Sequence, residues 1–581
     1  MTAPEKKLAF KSEPWFWIFY LLTIVIGGFL RLYLISDQIL LDDEWHALNF
    51  TIDHSLWYLF THFPRVGANS IPMNAYVRLL LVSSDWSEIL LILPSLVAGV
   101  ASLLVFPLVL KRIFSYRVTI FFAFLFAVSP LIIFYSRVCR PYSIYTFLGF
   151  LSIWILYEWS LTGEKKFVWL FALTGTLCIY FHLFGVIFVF VPLGCVILFK
   201  LMPKFPRLPA IREQIRPGFK ELISVGCGIL ICLIILLTAA VIQLPPSINL
   251  SSARFTFQSI IGFLQILSGT SHLFPNIFFY ALLGIGLIRL FRKSFLLGLI
   301  FISVFIAYVF VALVAKFNSA DVPLVLARYI IPAFPMAYVL VALGLDSLWM
   351  TISILPVNKK IINAAFYGVA GCFLAGLVWT GPLRQTYVDP NNFTNHSVFQ
   401  ESYAPINWDR PPISHMLQRP YTLNKDTMSV FYKTLADQRD VKKIIEYPVK
   451  LGNGFNLLYY YQRFHRKKVA EGYTIVVKDW PDTDASIYGD MILDMIFGRM
   501  RDPDQLKFRN MVNILDMASI KNSRADLVIL HKNPESEILE PHTGSDIKEI
   551  RLITDIAKVY RESFGQPIFE DRYLLVFKVR D

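Results

Sequence analysis

Charge is scarce in this chain. Only 17% of its 581 residues are Asp, Glu, Lys or Arg, against about a quarter in an ordinary globular protein. With 55% hydrophobic residues, 50 Phe and a mean hydropathy of +0.54, too little polar surface is left to wrap a soluble protein this large. The same numbers exclude a disordered chain, a collagen-like fibre and a coiled coil. Cysteine is missing after Cys372, so residues 383–581 carry neither a disulfide framework nor a cysteine-ligated zinc site. That region also lacks a Gly-rich phosphate loop, H-E-x-x-H and G-x-S-x-G, and shows no chemistry of its own. No A-x-A-like cleavage site follows the polar start MTAPEKKLAFKSEP, so the first apolar run reads as a retained span. No internal repeat is visible, which withholds support from a transporter built of two related halves.

What the chain does have is a series of apolar runs of roughly the ~20 residues that cross a bilayer. They fall at 15–35, 88–110, 118–136, 142–161, 167–182, 184–199, 221–242, 276–291, 295–315, 328–349 and 361–382. The expected architecture is therefore a polytopic α-helical membrane domain of about 11 spans over residues 1–382. The runs WHALNFTIDHSLWYLFTHF and IPMNAYVRLLLVSSDW in the loop 36–87 each place apolar residues on one helical face and read as interfacial helices. Residues 383–581 alternate strand-like runs (441–449, 473–480, 525–532, 572–580) with helix-like stretches (454–468, 484–500), which predicts an α/β domain.

The formal net charge of +13 first suggests a nucleic-acid partner, and its distribution removes that suggestion. Residues 383–581 hold 28 Lys/Arg and 27 Asp/Glu. With the N-terminus cytoplasmic, the cytoplasmic segments of residues 1–382 hold 19 Lys/Arg and the outer segments eight. That asymmetry is the positive-inside signature and puts the C-terminal domain on the exoplasmic side. A bacterial plasma membrane with a periplasmic C-terminal domain is the expected setting.

Chemistry-bearing residues concentrate on the outer face. Leu41-Asp42-Asp43-Glu44-Trp45-His46 follows the first span, where adjacent acids repel and are costly to bury. The segment reads either as a carboxylate base opening onto a substrate cavity or as a solvated loop. A divalent-cation site using Asp43, Glu44 and His46 stays open beside both. Tyr135-Ser136-Arg137-Val138-Cys139-Arg140-Pro141-Tyr142 forms an outer turn whose two Arg run against the positive-inside preference. They read as phosphate ligands or as side chains snorkelling to headgroups. Ala327-Arg328-Tyr329 brings a third Arg to a span end. His182, among Tyr180, Phe181 and Phe184, reads as a core residue before it reads as a ligand. Three Arg and a set of acids on a face without nucleotide sugars fit a polyprenyl-phosphate sugar donor. Arg would stabilise the departing phosphate while a carboxylate deprotonates the acceptor hydroxyl, and direct displacement would invert the anomeric centre.

On these residues the chain resembles the GT-C membrane glycosyltransferases, in the bacterial branch related to protein O-mannosyltransferases and the lipid A aminoarabinose transferase. The acidic pair after the first span is matched by Asp43-Glu44, with Asp43 the implied base and Asp42 an added neighbour. A Y-S-x-x-x-R-P-Y-like turn is matched by Tyr135, Ser136, Arg140, Pro141 and Tyr142, and an R-Y-x-x-P element by Arg328, Tyr329 and Pro332. A T-H-Y-like element is echoed at Phe181-His182-Leu183. The resemblance implies a lipid-linked-sugar glycosyltransferase in which Asp43, Glu44 and Asp42 are catalytic. Arg137, Arg140, Arg328 and Tyr329 would bind the donor phosphate, and His46, Tyr142 and His182 would line the substrate cavity. It implies a lipid-linked donor, a glycan, lipid or protein acceptor, and surrounding membrane lipids as partners, with no certain cofactor. The H-P-P-L-Y-like stretch of many relatives is replaced by Asn69-Ser70-Ile71-Pro72-Met73-Asn74, which points to a different substrate. An oligosaccharide ligase or polymerase, a transporter or flippase, and a non-catalytic scaffold are the competing readings.

Overall fold

The computed structural model of the protein describes residues 14–33, 35–38, 40, 44, 48, 50–52, 54–62, 70–82, 87–201, 215–242, 257–270, 272–315, 323–381, 383, 429–447, 461, 462, 464, 465, 467–469, 525–532 and 557–579. The membrane part is all helix: α1 (Pro14–Leu32), α2 (Leu56–Thr61), α3 (Ile71–Val82), α4 (Glu88–Leu110), α5 (Tyr116–Ala127), α6 (Pro130–Ser136), α7 (Tyr142–Thr162), α8 (Lys165–Phe181), α9 (Gly185–Leu201), α10 (Phe219–Ile242), α11 (Phe257–Ser268), α12 (Leu273–Lys293), α13 (Phe295–Ala315), α14 (Pro323–Tyr329), α15 (Ala333–Ile352) and α16 (Lys359–Trp379).

A helix coincides with each of the eleven expected apolar runs, but fewer qualify as simple spans. Among the described residues, α4, α7, α10, α12, α15 and α16 are long and apolar enough to cross a bilayer, and a bent pair makes a seventh. The 17-residue helices α8 and α9 reach only about 26 Å at 1.5 Å per residue, short of the ~30 Å hydrocarbon core. Among the described residues six helices, or seven with the bent pair, thus have spanning length and apolarity, which does not establish the expected eleven. Exposed Leu230, Ile234 and Ile235 on α10, and Ile361 and Val369 on α16, present the lipid-facing surface of an integral membrane protein.

Two expected spans are broken, and hydropathy does not register either break. The run 118–136 divides into α5 and α6, which meet at 60°. Pro130 opens α6, and proline has no N–H for the preceding turn. The hydroxyl of Tyr338 on α15 pins this corner, lying 2.7 Å from Ser129 Oγ and donating to the Leu267 carbonyl at 3.3 Å. The run 328–349 divides at Ile330–Pro332, so Arg328 ends the short helix α14 instead of opening α15.

α12 and α15 cross with their backbones in contact. A Cβ at Gly286 would collide with the Leu340 carbonyl, and one at Gly344 with the Leu282 carbonyl. This reciprocal glycine pair is the small-residue packing by which membrane helices gain close van der Waals contact. At the end of the bundle remote from loop 36–87, Arg117 Nε donates to Asp346 Oδ1 at 3.0 Å, and its guanidinium lies 3.5 Å from the Trp349 ring centroid. The pairing lets α15 carry a buried carboxylate.

The C-terminal region contains α17 (Val430–Leu435) and five strands, β1 (Lys443–Tyr447), β2 (Lys468–Val469), β3 (Leu527–His531), β4 (Phe569–Glu570) and β5 (Leu574–Lys578). Their order in the sheet is β2-β1-β3-β5-β4, parallel from β2 to β3 and antiparallel across β3-β5-β4. Three of the four expected strands are β1, β3 and β5. The run 473–480 and the helix-like stretch 484–500 lie outside the described residues. Residue alternation sends Ile444, Leu527, Ile529, Leu574 and Val576 to one buried cluster with α17 and Tyr461. Ile445, Val528, Leu530, Leu575 and Phe577 go to another, which also contains Leu40, Leu48, Met73, Val77, Leu91 and Cys139 of the membrane part.

Two outcomes follow. Replacing Gly344 with valine forces α12 and α15 apart, at a cost of about 1–3 kcal/mol or more. Gly368→Val on α16, where a Cβ meets nothing within 4 Å, serves as the control. Thermal unfolding in detergent should show a lowered midpoint for the first and an unchanged one for the second, and equal midpoints would refute the crossing. In the C-terminal domain, burial chiefly, then Lys467, pushes the His465 imidazole down to about 4 despite the nearby Glu446 carboxylate. A depressed histidine means that the unfolded chain binds more protons, so this stability is complete above about pH 6.5 and declines towards pH 4. Between pH 8 and 5 the loss is about 2 kcal/mol. Amide exchange of β1 and β3 in the full chain should follow that curve, and His465→Gln should flatten it.

Candidate functional site

The site is built around the turn between α6 and α7. Residues 130–143 are buried without interruption, although Arg137 and Arg140 are among them. A turn this buried must satisfy its own backbone, and three side chains from elsewhere do so. Gln38, just past α1, donates through Nε2 to the Arg137 carbonyl at 2.5 Å. Ser95 on α4 donates to the Arg140 carbonyl at 2.6 Å. The Cys139 N–H donates to Glu44 Oε1, and the Glu44 carboxylate is fully buried. The Arg137 side chain turns back towards α1, donating from Nε to Gln38 Oε1 at 3.3 Å and from Nη1 to the Leu30 carbonyl at 3.4 Å.

Cys139 is not a nucleophile here. Burial first, then the Glu44 charge, pushes its thiol well above the ordinary range, with Arg140 opposing. It stays protonated, and the thiolate is the reactive form.

The opposite wall comes from α14 and the break between α8 and α9. Tyr308 donates its hydroxyl to the Leu326 carbonyl at 2.6 Å and Tyr145 donates to the Tyr329 carbonyl at 3.4 Å, which fixes the end of α14. The Arg328 guanidinium lies 5.2 Å from the Tyr329 ring centroid, a cation–π distance. His182 sits where α8 ends, in extended backbone. Its ring stacks on Tyr145 at 4.7 Å and 16°, with Tyr142 at 5.4 Å, Phe184 at 5.6 Å and Tyr329 at 5.9 Å. The Phe184 N–H donates to His182 Nδ1 at 3.4 Å. Arg328 and Arg140 both act electrostatically on this ring.

Arg140, Arg328, Tyr329 and Tyr142 thus gather about His182. Glu44 and the Arg137 side chain lie on the other side of the turn between α6 and α7, towards α1 and the loop that follows it. Asp42, Asp43 and His46 lie outside the described residues. Among the described residues no three His, Cys, Asp or Glu side chains form a metal-binding group, and the suggested cation site involves the undescribed ones. Sequence reasoning missed Gln38, Ser95, Tyr145 and the Cys139 N–H. A lone hydroxyl within an apolar run marked Ser95, whereas nothing marked Gln38. The buried Arg140 and the half-buried Arg328 bring two guanidinium charges to bear on one histidine, an arrangement suited to an oxyanion.

No family model matches the chain, and no curated protein matches it in sequence. Among solved structures, ArnT from Cupriavidus metallidurans in the apo state aligns with a TM-score of 0.49 and 11% identity, over 97% of this chain and 98% of that one. The same protein bound to undecaprenyl phosphate aligns with a TM-score of 0.49 and 11% identity over 98% of each chain. The archaeal oligosaccharyltransferase AglB from Archaeoglobus fulgidus, in complex with an inhibitory peptide and a dolichol-phosphate, aligns with a TM-score of 0.46 and 13% identity. That alignment covers 90% of this chain and 70% of AglB.

The contact between Glu44 and Cys139 sets an expectation for Glu44. Glu44→Gln keeps an acceptor for the N–H, whereas Glu44→Ala leaves a buried donor unsatisfied, at a cost of about 1–3 kcal/mol. Thermal unfolding should rank wild type and Gln together and Ala below them. If Gln and Ala are equally destabilised, the contact is not what Glu44 contributes.

Proposed function

We propose that the protein is a glycosyltransferase that moves a sugar from a polyprenyl-phosphate donor to an acceptor hydroxyl on the exoplasmic side of a membrane, in a bacterium its plasma membrane. The observation that carries the proposal is that the buried Arg140 and the half-buried Arg328 both act on the buried His182, beside the turn whose Cys139 N–H Glu44 accepts. Two guanidinium groups directed at one site suit an anionic ligand. A phosphate with a lipid tail is an anion that reaches this depth.

The chemistry then divides between the two walls. The two guanidinium groups suit the dianion, a polyprenyl phosphate monoester, that is left when the sugar departs from the donor phosphodiester. That balance favours a monophosphate donor over a diphosphate. Asp43, the sequence neighbour of Glu44, takes the proton of the acceptor hydroxyl. The oxygen attacks the anomeric carbon while its bond to the phosphate breaks, so a single displacement inverts that centre. Glu44 holds the turn, and Asp42 adds negative charge beside the base.

The test is consumption of a polyprenyl-phosphate sugar by the purified protein in lipid nanodiscs, read by mass spectrometry as released polyprenyl phosphate. Arg140→Met and Arg328→Met should each lower turnover by roughly 10²–10³, the usual loss for removing an oxyanion-stabilising group. Asp43→Asn should abolish turnover while donor binding persists. A folded Asp43→Asn protein with full turnover would remove Asp43 as base. No consumption by wild type, with a range of acceptors, would remove the enzyme reading.

A further inference from the structure

We propose that the side-chain amide of Gln265 binds a hydroxyl of the sugar carried by the lipid-linked donor, and so helps select which sugar is transferred. This deepens the reading above and rests on it.

Gln265 lies on α11, on the face that meets the two short helices leading to the site. A Cβ at Gly262 would collide with Pro323, which opens α14. One at Gly269 would come within 3.2 Å of Pro130, which opens α6. Positions 262, 265 and 269 are three and four residues apart, so they share that face. From these prolines α14 runs to Arg328 and Tyr329, and α6 runs to the turn that carries Arg140. α14 has seven residues, about 10 Å at 1.5 Å per residue, a span that a phosphate at Arg328 and the sugar bonded to it can bridge.

Gln265 is 1% exposed, and neither Oε1 nor Nε2 has a hydrogen-bond partner among the described residues. The polar groups beside it are paired within the protein. The Ser268 hydroxyl donates to the Gln265 carbonyl at 3.1 Å, and Asn276 on α12 donates to Ser268 Oγ at 3.0 Å and to the Thr270 carbonyl at 3.1 Å. The hydroxyls of Thr270 and Thr380 lie 2.8 Å apart. A buried amide unsatisfied at both ends opposes folding, and Met would fill the same space without that penalty. Its presence calls for a bound group that accepts from Nε2 and donates to Oε1. The phosphodiester of the donor only accepts, and a polyprenyl chain does neither. A hydroxyl does both, and neighbouring hydroxyls on a sugar ring match the two ends of an amide. Because the amide is buried, the sugar reaches it by parting α11 from α14.

Gln265→Met keeps the length of the side chain and removes both polar ends. Native mass spectrometry on detergent-purified protein measures binding of polyprenol, of polyprenyl methyl phosphate (a phosphodiester without a sugar), and of polyprenyl phosphate bearing glucose, mannose or N-acetylglucosamine. Wild type should bind at least one sugar-bearing lipid more tightly than the methyl ester. Gln265→Met should lose roughly tenfold of that preference, the span of one or two neutral hydrogen bonds, and bind the methyl ester within about twofold of wild type. Its unfolding midpoint without lipid should equal or exceed that of wild type, because an unsatisfied amide has been removed. Gln265→Leu should behave alike. A folded Gln265→Met protein with the wild-type sugar preference overturns the assignment and leaves the amide to packing or to a buried water. A lowered midpoint or failure to fold in both variants also overturns it, since the amide is then structural. If wild type prefers the methyl ester to polyprenol but no sugar-bearing lipid to the methyl ester, the sugar contact falls and the phosphate-donor reading stands. If wild type does not prefer the methyl ester to polyprenol, that reading falls and takes this assignment with it.

Discussion

A positive charge buried where a chain turns at a membrane surface has to be held before it can hold anything else. The turn from Arg137 to Pro141 meets this constraint through its backbone rather than through ion pairs alone. Gln38, Glu44 and Ser95 reach it from three separate segments and bind a carbonyl, an N–H and a carbonyl. Each of these bonds is worth about 1 kcal/mol net, and more where a carboxylate is the acceptor. Their larger effect is that they leave the turn no second conformation that stays buried. The guanidinium of Arg140 is then presented from a rigid support, the condition under which an oxyanion site works without reorganising.

The breaks in the helices serve the same end. Had 118–136 been one straight helix, its last turn would have continued along the bundle and carried Arg137 away from α1. The 60° corner at Ser129 brings α6 across it, and Tyr338 locks that corner. Had 328–349 been one helix, Arg328 would have been on its first turn, where the positive end of the macrodipole disfavours a cation. At the end of α14 it lies at the negative end of a short helix and against the Tyr329 ring. Proline supplies both interruptions, with Pro130 at the start of α6 and Pro332 before α15.

How far the sequence could be read depended on whether a residue broke a rule. Arg137, Arg140 and Arg328 stood out because cations on an outer face need a reason, and the structure brings two of them to one histidine. The acids stood out because three in a row repel one another and are costly to bury. Gln38 and Ser95 are ordinary residues, and their importance lies in a contact across 99 and 45 positions of chain that no local pattern encodes. Hydropathy located the helices but is blind to bends, because proline inside an apolar run remains apolar. In the C-terminal domain, alternation gave away β1, β3 and β5, while the order β2-β1-β3-β5-β4 depends on crossovers that alternation does not specify. His182 was correctly seen as buried. What the sequence could not show was that only one of its two nitrogens is satisfied.

The C-terminal domain carries no catalytic pattern, yet its sheet bears on the site physically. Leu40 and Leu48 bracket the acidic run in sequence, and both are buried in the cluster that takes in Ile445, Val528, Leu530, Leu575 and Phe577. Cys139, whose N–H holds Glu44, belongs to the same cluster. Acids next to one another repel, and a loop carrying them would drift towards water unless its flanks were fixed. Apolar anchors on both sides, each buried Leu contributing about 1.5–3 kcal/mol, oppose that drift. The sheet supplies much of the surface that buries them. On this account the C-terminal sheet is a clamp: the face of the sheet that shares a cluster with Leu40, Leu48 and Cys139 helps keep Glu44 at the turn that carries Arg140.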